Sequence, residues 1–305
     1  MPDASAAPPE LVTIRDFLRW AVSRFRQAKL AHGHGATTAL DEAAFLILEG
    51  LHLPVEDINP WLDAKLTASE RGGLAKLISA RIETRKPAPY LVNRTYIHGV
   101  PFYVDERVIV PRSYIGELMF SGLFGGEGFN LIADPAAVSS VLDLCTGSGC
   151  LAILAAGIFP AADIDAADLS NAALEVAEIN LKDHDLSNRI SLLQGDLFEP
   201  VEARRYDLII TNPPYVAAEE VAAFPPEYAQ EPVMAHIGGP DGLDIVRRIL
   251  AEAPDHLNDG GGLLCEIGTG RDIIEAEFPD FDFFWLDTEE SEGEVFWITK
   301  DQFKS

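Results

Sequence analysis

Asn212-Pro213-Pro214-Tyr215 follow the apolar run Leu208-Ile209-Ile210, with one residue, Thr211, between them. An Asn side-chain oxygen and the carbonyl of the next proline can together accept both hydrogens of a planar NH2 group, while a tyrosine ring covers its π-face. The tetrapeptide therefore reads as a pocket for an amide or amino nitrogen. Two successive prolines fix φ and set the acceptors in place at a strand end, where open α/β sheets hold their ligands. Taken alone, Asn-Pro-Pro is also ordinary turn chemistry.

Further upstream, Val141-Leu142-Asp143-Leu144 has the pattern of a short buried strand and runs into Cys145-Thr146-Gly147-Ser148-Gly149-Cys150. The run Leu151-Ala152-Ile153-Leu154-Ala155-Ala156 then reads as a helix. Strand, glycine turn and helix make a nucleotide-type loop, in which Gly147 and Gly149 permit a tight turn and close backbone approach to a ligand. Ala152 stands where the third glycine of the dinucleotide pattern would be, so the loop alone leaves NAD open. The next apolar stretch ends at Asp168, about 20 residues on, where an acid receives ribose hydroxyls. A third strand, Ile190-Ser191-Leu192-Leu193, ends near Gly195-Asp196-Leu197-Phe198, and Asp196 is placed to accept from an adenine amino group. The alternative readings are a solvated loop acid for Asp168 and a helix N-cap for Asp196.

The glycine loop, Asp168, Asp196 and Asn212-Pro213-Pro214-Tyr215 together resemble a class I S-adenosyl-L-methionine methyltransferase of the HemK type, a family that methylates the N5 of protein glutamines. Val110-Pro111-Arg112-Ser113 with Gly116-Glu117-Leu118 resembles the family's Pro-Arg signature. Glu227-Tyr228, Glu231-Pro232 and Gly238-Gly239-Pro240-Asp241-Gly242-Leu243 resemble its segment after the tetrapeptide. The resemblance covers roughly Thr13 to Phe303. Of the family's two main branches, one acts on peptide chain release factors and one on large-subunit ribosomal protein L three. The two loop cysteines, Ser-x-Ile-Gly-Glu after the Pro-Arg pair, Ile14-Arg15-Asp16-Phe17-Leu18-Arg19-Trp20 and Gly33-His34-Gly35 look like the second. Tyr114 departs from that branch, which would have proline there.

The resemblance implies a doubly wound, Rossmann-like α/β sheet behind a small N-terminal helical domain. It implies that S-adenosyl-L-methionine is held by Asp143, Cys145, Thr146, Gly147, Ser148 and Gly149, by Asp168 and Leu169, by Asp196 and Leu197, and by Asn212. Asn212, Pro213, Pro214 and Tyr215 would hold the glutamine amide and carry the transfer. Arg112 and Glu117 would border the cofactor or the substrate's path; the alternative is an ion pair between domains.

Composition narrows the partners. With 23 Lys+Arg against 49 Asp+Glu in 305 residues, the formal net charge is -26. Such a surface repels phosphate backbones and disfavours nucleic-acid binding, while a basic protein substrate would be attracted. An N6-adenine nucleic-acid methyltransferase, whose exocyclic amine suits the same pocket, is the competing enzyme reading; a binding module without a methyl donor is the non-enzymatic one. No uninterrupted run of ~18 apolar residues occurs, and Met1-Pro2-Asp3-Ala4-Ser5 lacks the regions of a signal peptide, so a cytoplasmic protein without membrane attachment is expected. Cys145, Cys150 and Cys265 have no zinc spacing, and the His32/His34 pair is expected to be structural; no metal is expected.

These groups need elements to position them. Residues 1–12 are expected to be a loose tail and 13–88 a helical substrate-recognition domain. Ile14, Phe17, Leu18, Ala21, Val22 and Phe25 have amphipathic-helix spacing, Leu40 to Glu49 reads as a second helix, and a third opens with the capping box Thr67-Ala68-Ser69-Glu70 and stops before Pro87. Residues 89–112 read as a hairpin linker, with Tyr96-Ile97-His98 and Phe102-Tyr103-Val104 flanking Gly99-Val100-Pro101. From 113 to 305 strands and helices alternate. The turn between Phe281–Leu286 and Val295–Thr299 is too short for a parallel crossover, which predicts an antiparallel final hairpin.

Overall fold

A computed structural model describes residues 7–289 and 291–303. The chain divides into two compact units: one runs to Glu106 and also takes Phe224–Glu231, and the other comprises Arg107–Ala223 and Pro232 onward.

In the first unit, α1 (Ile14–Ala28), α2 (Ala39–Gly50), α3 (Ala68–Thr84) and α4 (Ala88–Val92) are followed by β1 (Thr95–Ile97) and β2 (Val100–Phe102). Helix α1 forms because its apolar residues recur on one face, and Ile14, Phe17, Trp20, Ala21 and Phe25 are buried. They pack against Leu46 and Ile47 of α2 and Leu74 and Ile78 of α3. Each fully buried Phe or Leu there contributes roughly 1.5–3 kcal/mol of transfer free energy. The Thr67/Glu70 capping box forms as its spacing predicts, and Arg85, in the left-handed region at φ 61°, ends α3 ahead of Pro87. The expected tail is fastened earlier than Thr13: Leu11 is buried, and Leu66 N donates to Val12 O at 2.8 Å. Residues 1–6 of that tail lie outside the described residues.

The hairpin differs from its sequence reading in its turn. Strands β1 and β2 are antiparallel with Ile97 opposite Val100, leaving His98-Gly99 as a two-residue turn with φ of 46° and 78°. The tight turn draws Val100 and Pro101 into the second strand. The hairpin lies within the first unit, where a linker was expected.

Charge explains why Phe224–Glu231 belongs to this unit. Arg81 is fully buried; its Nε donates to Glu42 Oε1 at 2.6 Å and its Nη2 to Ala31 O at 3.0 Å. Arg85 Nη1 donates to Glu227 Oε1 at 2.8 Å, and Arg81 Nη1 lies 3.8 Å from the same oxygen. Burial alone would raise the Glu42 carboxyl, but its bond to His32 and the charge and bonds of Arg81 hold it below its ordinary value.

The second unit contains α5 (Tyr114–Phe120), β3 (Ser140–Leu144), α6 (Cys150–Ile158), β4 (Asp163–Asp168), α7 (Asn171–Asp183), β5 (Ile190–Gln194) and β6 (Tyr206–Thr211). After these come α8 (Ala218–Ala222), α9 (Asp244–Glu252), β7 (Leu257–Glu266), α10 (Arg271–Glu277), β8 (Phe284–Leu286) and β9 (Val295–Thr299). Among the described residues, seven strands make one sheet in the order β5-β4-β3-β6-β7-β9-β8. The first five are parallel, and β9 runs antiparallel between β7 and β8. This is the class I methyltransferase topology, including the predicted antiparallel end. Helix α6 is buried along Cys150–Ala156, which accounts for its apolar sequence on every side. Leu142, Ile209 and Leu263 of neighbouring strands form the core with Val246 and Ile249 of α9.

Candidate active site

Strand order reverses between β3 and β6, and the crevice at the carboxyl ends of these strands is where such sheets bind ligands. The residues singled out in the sequence follow this geometry. Leu144 runs into the glycine loop, Asp168 closes β4, Gly195 and Asp196 follow β5, and Asn212 follows Thr211 at the end of β6. Thr211 Oγ1 donates to Leu144 O at 2.9 Å, joining the two strand ends beside the switch point.

A cavity of about 220 Å³ opens here, wholly within the second unit. Of the expected site residues, Cys145, Gly147, Asp168, Leu169, Asp196, Leu197, Asn212 and Pro214 line it. Gly147 has φ 57° and presents its backbone, and its N–H donates to Asp168 Oδ2 at 2.9 Å. Ser170 N donates to Asp168 Oδ1 at 2.8 Å. Asp168 is therefore no loosely solvated loop acid: burial raises its carboxyl above the ordinary value, against these two bonds, and each oxygen keeps lone-pair capacity for a hydroxyl donor. Leu169 is 58 % exposed, an apolar surface beside that carboxylate.

Asp143, Thr146, Ser148 and Gly149 do not line the cavity. Asp143 is fully buried, and its Oδ2 accepts from Thr146 Oγ1 at 2.5 Å and Ala152 N at 3.0 Å. Those bonds brace the loop against the first turn of α6. Burial pushes the Asp143 carboxyl up to about 7. Burial likewise raises all three cysteine thiols, Cys150 to about 12, so none is a ready nucleophile.

Asp196 caps no helix. Its Oδ2 accepts from Arg248 Nη2 at 2.9 Å, and Arg248 also lines the cavity. No sequence signal marks Arg248, because an arginine on an amphipathic helix reads as a solvated charge. Met234 and the stretch Arg107–Ile109, which line the cavity as well, carry no motif of their own.

The tetrapeptide loop is held from behind. Val216 N donates to His236 O at 2.8 Å and Gly238 N to Val216 O at 3.0 Å, so the segment after the loop lies along it like a short strand. Arg247 fixes the following turn through Asp241, Asp244 and Glu277. Pro213 is buried and Tyr215 partly so, and neither lines the cavity. The Tyr215 hydroxyl donates to Glu266 Oε1 at 2.8 Å. Burial and the charge of Glu266 hold this phenol well above its ordinary value, so it is not a base.

Arg112 and Glu117 do not line the cavity. Arg112 Nη1 donates to Val110 O at 3.1 Å, and Glu117 Oε1 accepts from Glu289 N at 2.8 Å, in the turn between β8 and β9. Both residues lie in the second unit.

The cavity thus offers an exposed loop backbone, a bonded acid after β4, an ion-paired acid after β5, and an amide acceptor after β6. A ligand with hydroxyl and amino donors fits that set, and a planar nitrogen fits Asn212.

Known proteins carry the same arrangement of sequence. The family description Methyltransferase small domain matches residues 130–224. A ribosomal protein uL3 glutamine methyltransferase of Bradyrhizobium diazoefficiens is 59% identical, covering 95% of this chain and 91% of that protein. One from Bordetella pertussis is 50% identical over 96% and 97%. A crystal structure of a methyltransferase from Pyrococcus furiosus aligns with 16% identity and a TM-score of 0.48, covering 66% of this chain and 89% of that one. Identity at this level extends across both units, and the chain belongs to the family of ribosomal protein uL3 glutamine methyltransferases.

Proposed function

We propose that the chain transfers the methyl group of S-adenosyl-L-methionine to the side-chain N5 of a glutamine in ribosomal protein uL3, in the cytoplasm. The observation that carries this reading is the shared cavity: the Gly147 backbone, Asp168 and Asn212 face one space at three adjoining strand ends. When bound, S-adenosyl-L-methionine supplies an electrophilic methyl on its sulfonium.

The chain's own residues must do the rest by alignment. Asp168 suits ribose hydroxyls, and Asp196, oriented by Arg248, suits the adenine amino group. A glutamine amide is a poor nucleophile because its lone pair is delocalised, so orientation is the main demand. Asn212 Oδ1 and the Pro213 carbonyl accept the two amide hydrogens, hold the nitrogen in one plane and favour the positive charge that develops on it. No strong base is required, since the amide proton becomes acidic only after transfer. Tyr215 holds the loop in place through its buried hydroxyl.

The net charge of -26 suits capture of a basic protein and opposes a nucleic-acid substrate. Among the described residues no helix is long and apolar enough to cross a membrane. Incubation with radiolabelled S-adenosyl-L-methionine and either uL3 or a release factor, followed by peptide mapping, tests the reading. Label on a uL3 glutamine is expected; label confined to the release factor overturns the substrate.

A further inference from the structure

Glu266 ends β7 with a fully buried side chain and accepts at both oxygens. Oε1 takes the Tyr215 hydroxyl at 2.8 Å. Oε2 takes the Ser113 hydroxyl at 2.7 Å and the Tyr114 N–H at 2.9 Å, where α5 begins. A side chain at Gly268, two residues beyond, would come within 2.8 Å of the Tyr215 ring, so the backbone just past β7 is the surface on which that ring lies. We propose that Glu266 is the positioning residue of the acceptor loop: it ties Tyr215 to the Ser113–Tyr114 turn, and that tie sets where Asn212 and the Pro213 carbonyl present themselves to the substrate amide. This inference rests on the methyl-transfer reading and names a residue that reading does not use.

The chemistry of the donors selects a carboxylate. Three donors converge on two oxygens, and the Tyr114 N–H cannot turn to become an acceptor. A glutamine must give its oxygen to Ser113 and Tyr114, leaving its NH2 toward Tyr215, whose hydroxyl has to rotate and accept. Glutamine therefore preserves the tie in altered form; leucine abolishes it. A carboxylate also has two states here. Burial holds Glu266 up to about 7. Below that pH it carries a proton, one oxygen becomes a donor, and the Tyr215 hydroxyl has to turn and accept, the arrangement that a glutamine imposes at every pH. The ionisable and charged neighbours are Tyr215 and Cys265, which interact with Glu266 directly, and Arg112 and Glu294, whose charges act on Tyr215. Glu294 is itself raised by burial. As the pH rises through about 7 all three become bonds to a charged carboxylate, which are shorter and stronger, so kcat should rise over the same range.

The test uses the full chain, uL3 and S-adenosyl-L-methionine, with variants E266Q, E266L and Y215F. Y215F removes only the hydroxyl and keeps the ring. S-adenosylhomocysteine affinity by calorimetry should stay within about twofold for all three, because neither residue lines the cavity, and that binding also shows that each variant is folded. kcat should fall at least about tenfold in Y215F and E266L and less in E266Q. E266Q should lose the acid limb of the pH profile near 7. Y215F/E266L should be no slower than the worse single variant by more than about twofold, the mark of one shared interaction. Should E266L not fold, Y215F and E266Q still decide. An active wild type whose Y215F and E266Q variants keep its kcat within about threefold and its pH profile overturns the inference alone. A wild type inert toward uL3 and release factor overturns the methyl-transfer reading and, with it, this role.

Discussion

A methyl group at Gly242 would come within 2.3 Å of the Tyr215 carbonyl oxygen, and Gly242 holds φ 87°. The turn that follows the acceptor loop is thus shaped around that loop's backbone, which cannot yield as a flexible side chain would. Gly242→Ala adds backbone strain of about 1–3 kcal/mol to this contact. The expected outcome is a lower Tm and at least a tenfold loss of turnover, read by thermal denaturation and methyl transfer to uL3. A variant with wild-type Tm and turnover would remove the turn from any supporting role.

Asn212→Ala should leave the fold intact and nearly abolish transfer. Loss of one acceptor in the aligned complex costs on the order of 1–3 kcal/mol, and misalignment of the amide adds to it. Turnover within about threefold of wild type would reject Asn212 as the amide acceptor.

Asp168→Ala should weaken S-adenosylhomocysteine about ten- to hundredfold, as expected for a charged hydrogen bond of roughly 1.5–3 kcal/mol. It also frees the Gly147 and Ser170 N–H groups that the carboxylate now holds. Unchanged affinity in calorimetry would show that the acid serves the loop and not the ligand.

Asp143 predicts a pH dependence of stability. Its folded-state pKa lies near 7, above the unfolded carboxylate, so the folded chain binds the extra proton between those values. Its favourable contribution is complete below the unfolded pKa and is lost as pH rises through about 7. Asp143→Asn cannot ionise, so wild type should lose Tm relative to the variant between pH 5 and 8. Parallel Tm curves across that range would contradict the raised carboxyl.

Arg81→Met should destabilise the first unit by about 3–5 kcal/mol, because it leaves Glu42 charged and buried with only His32 beside it. Adding Glu42→Gln should recover part of the loss in chemical denaturation. An additive double variant would mean that the two side chains do not stabilise each other.

The parts of this fold legible in sequence are those whose cause is local. Thr67 and Glu70 cap one another within one turn of helix, Ile14 to Phe25 repeat at helical spacing, and the glycine loop and Asn212 each sit directly after an apolar strand. Groups whose role comes from distant partners were not legible. Glu266 reads as one more acid at a strand end until Ser113 and Tyr215 arrive from separate parts of the chain. Asp143 looks like a loop ligand in sequence, and only its burial and its bonds to Thr146 and Ala152 make it a brace. Residues Phe224–Glu231 gave no hint of leaving the second unit, because the arginines that claim Glu227 lie in α3 and at its end.

That last feature limits how the protein can be recombined. A chimera that exchanges the N-terminal unit between two relatives by a single cut near Glu106 would give the new Arg81 and Arg85 a foreign Glu227 partner, or none. The N-terminal unit should therefore be transplanted with two crossovers, the second exchange carrying Phe224–Glu231 along with the unit it completes.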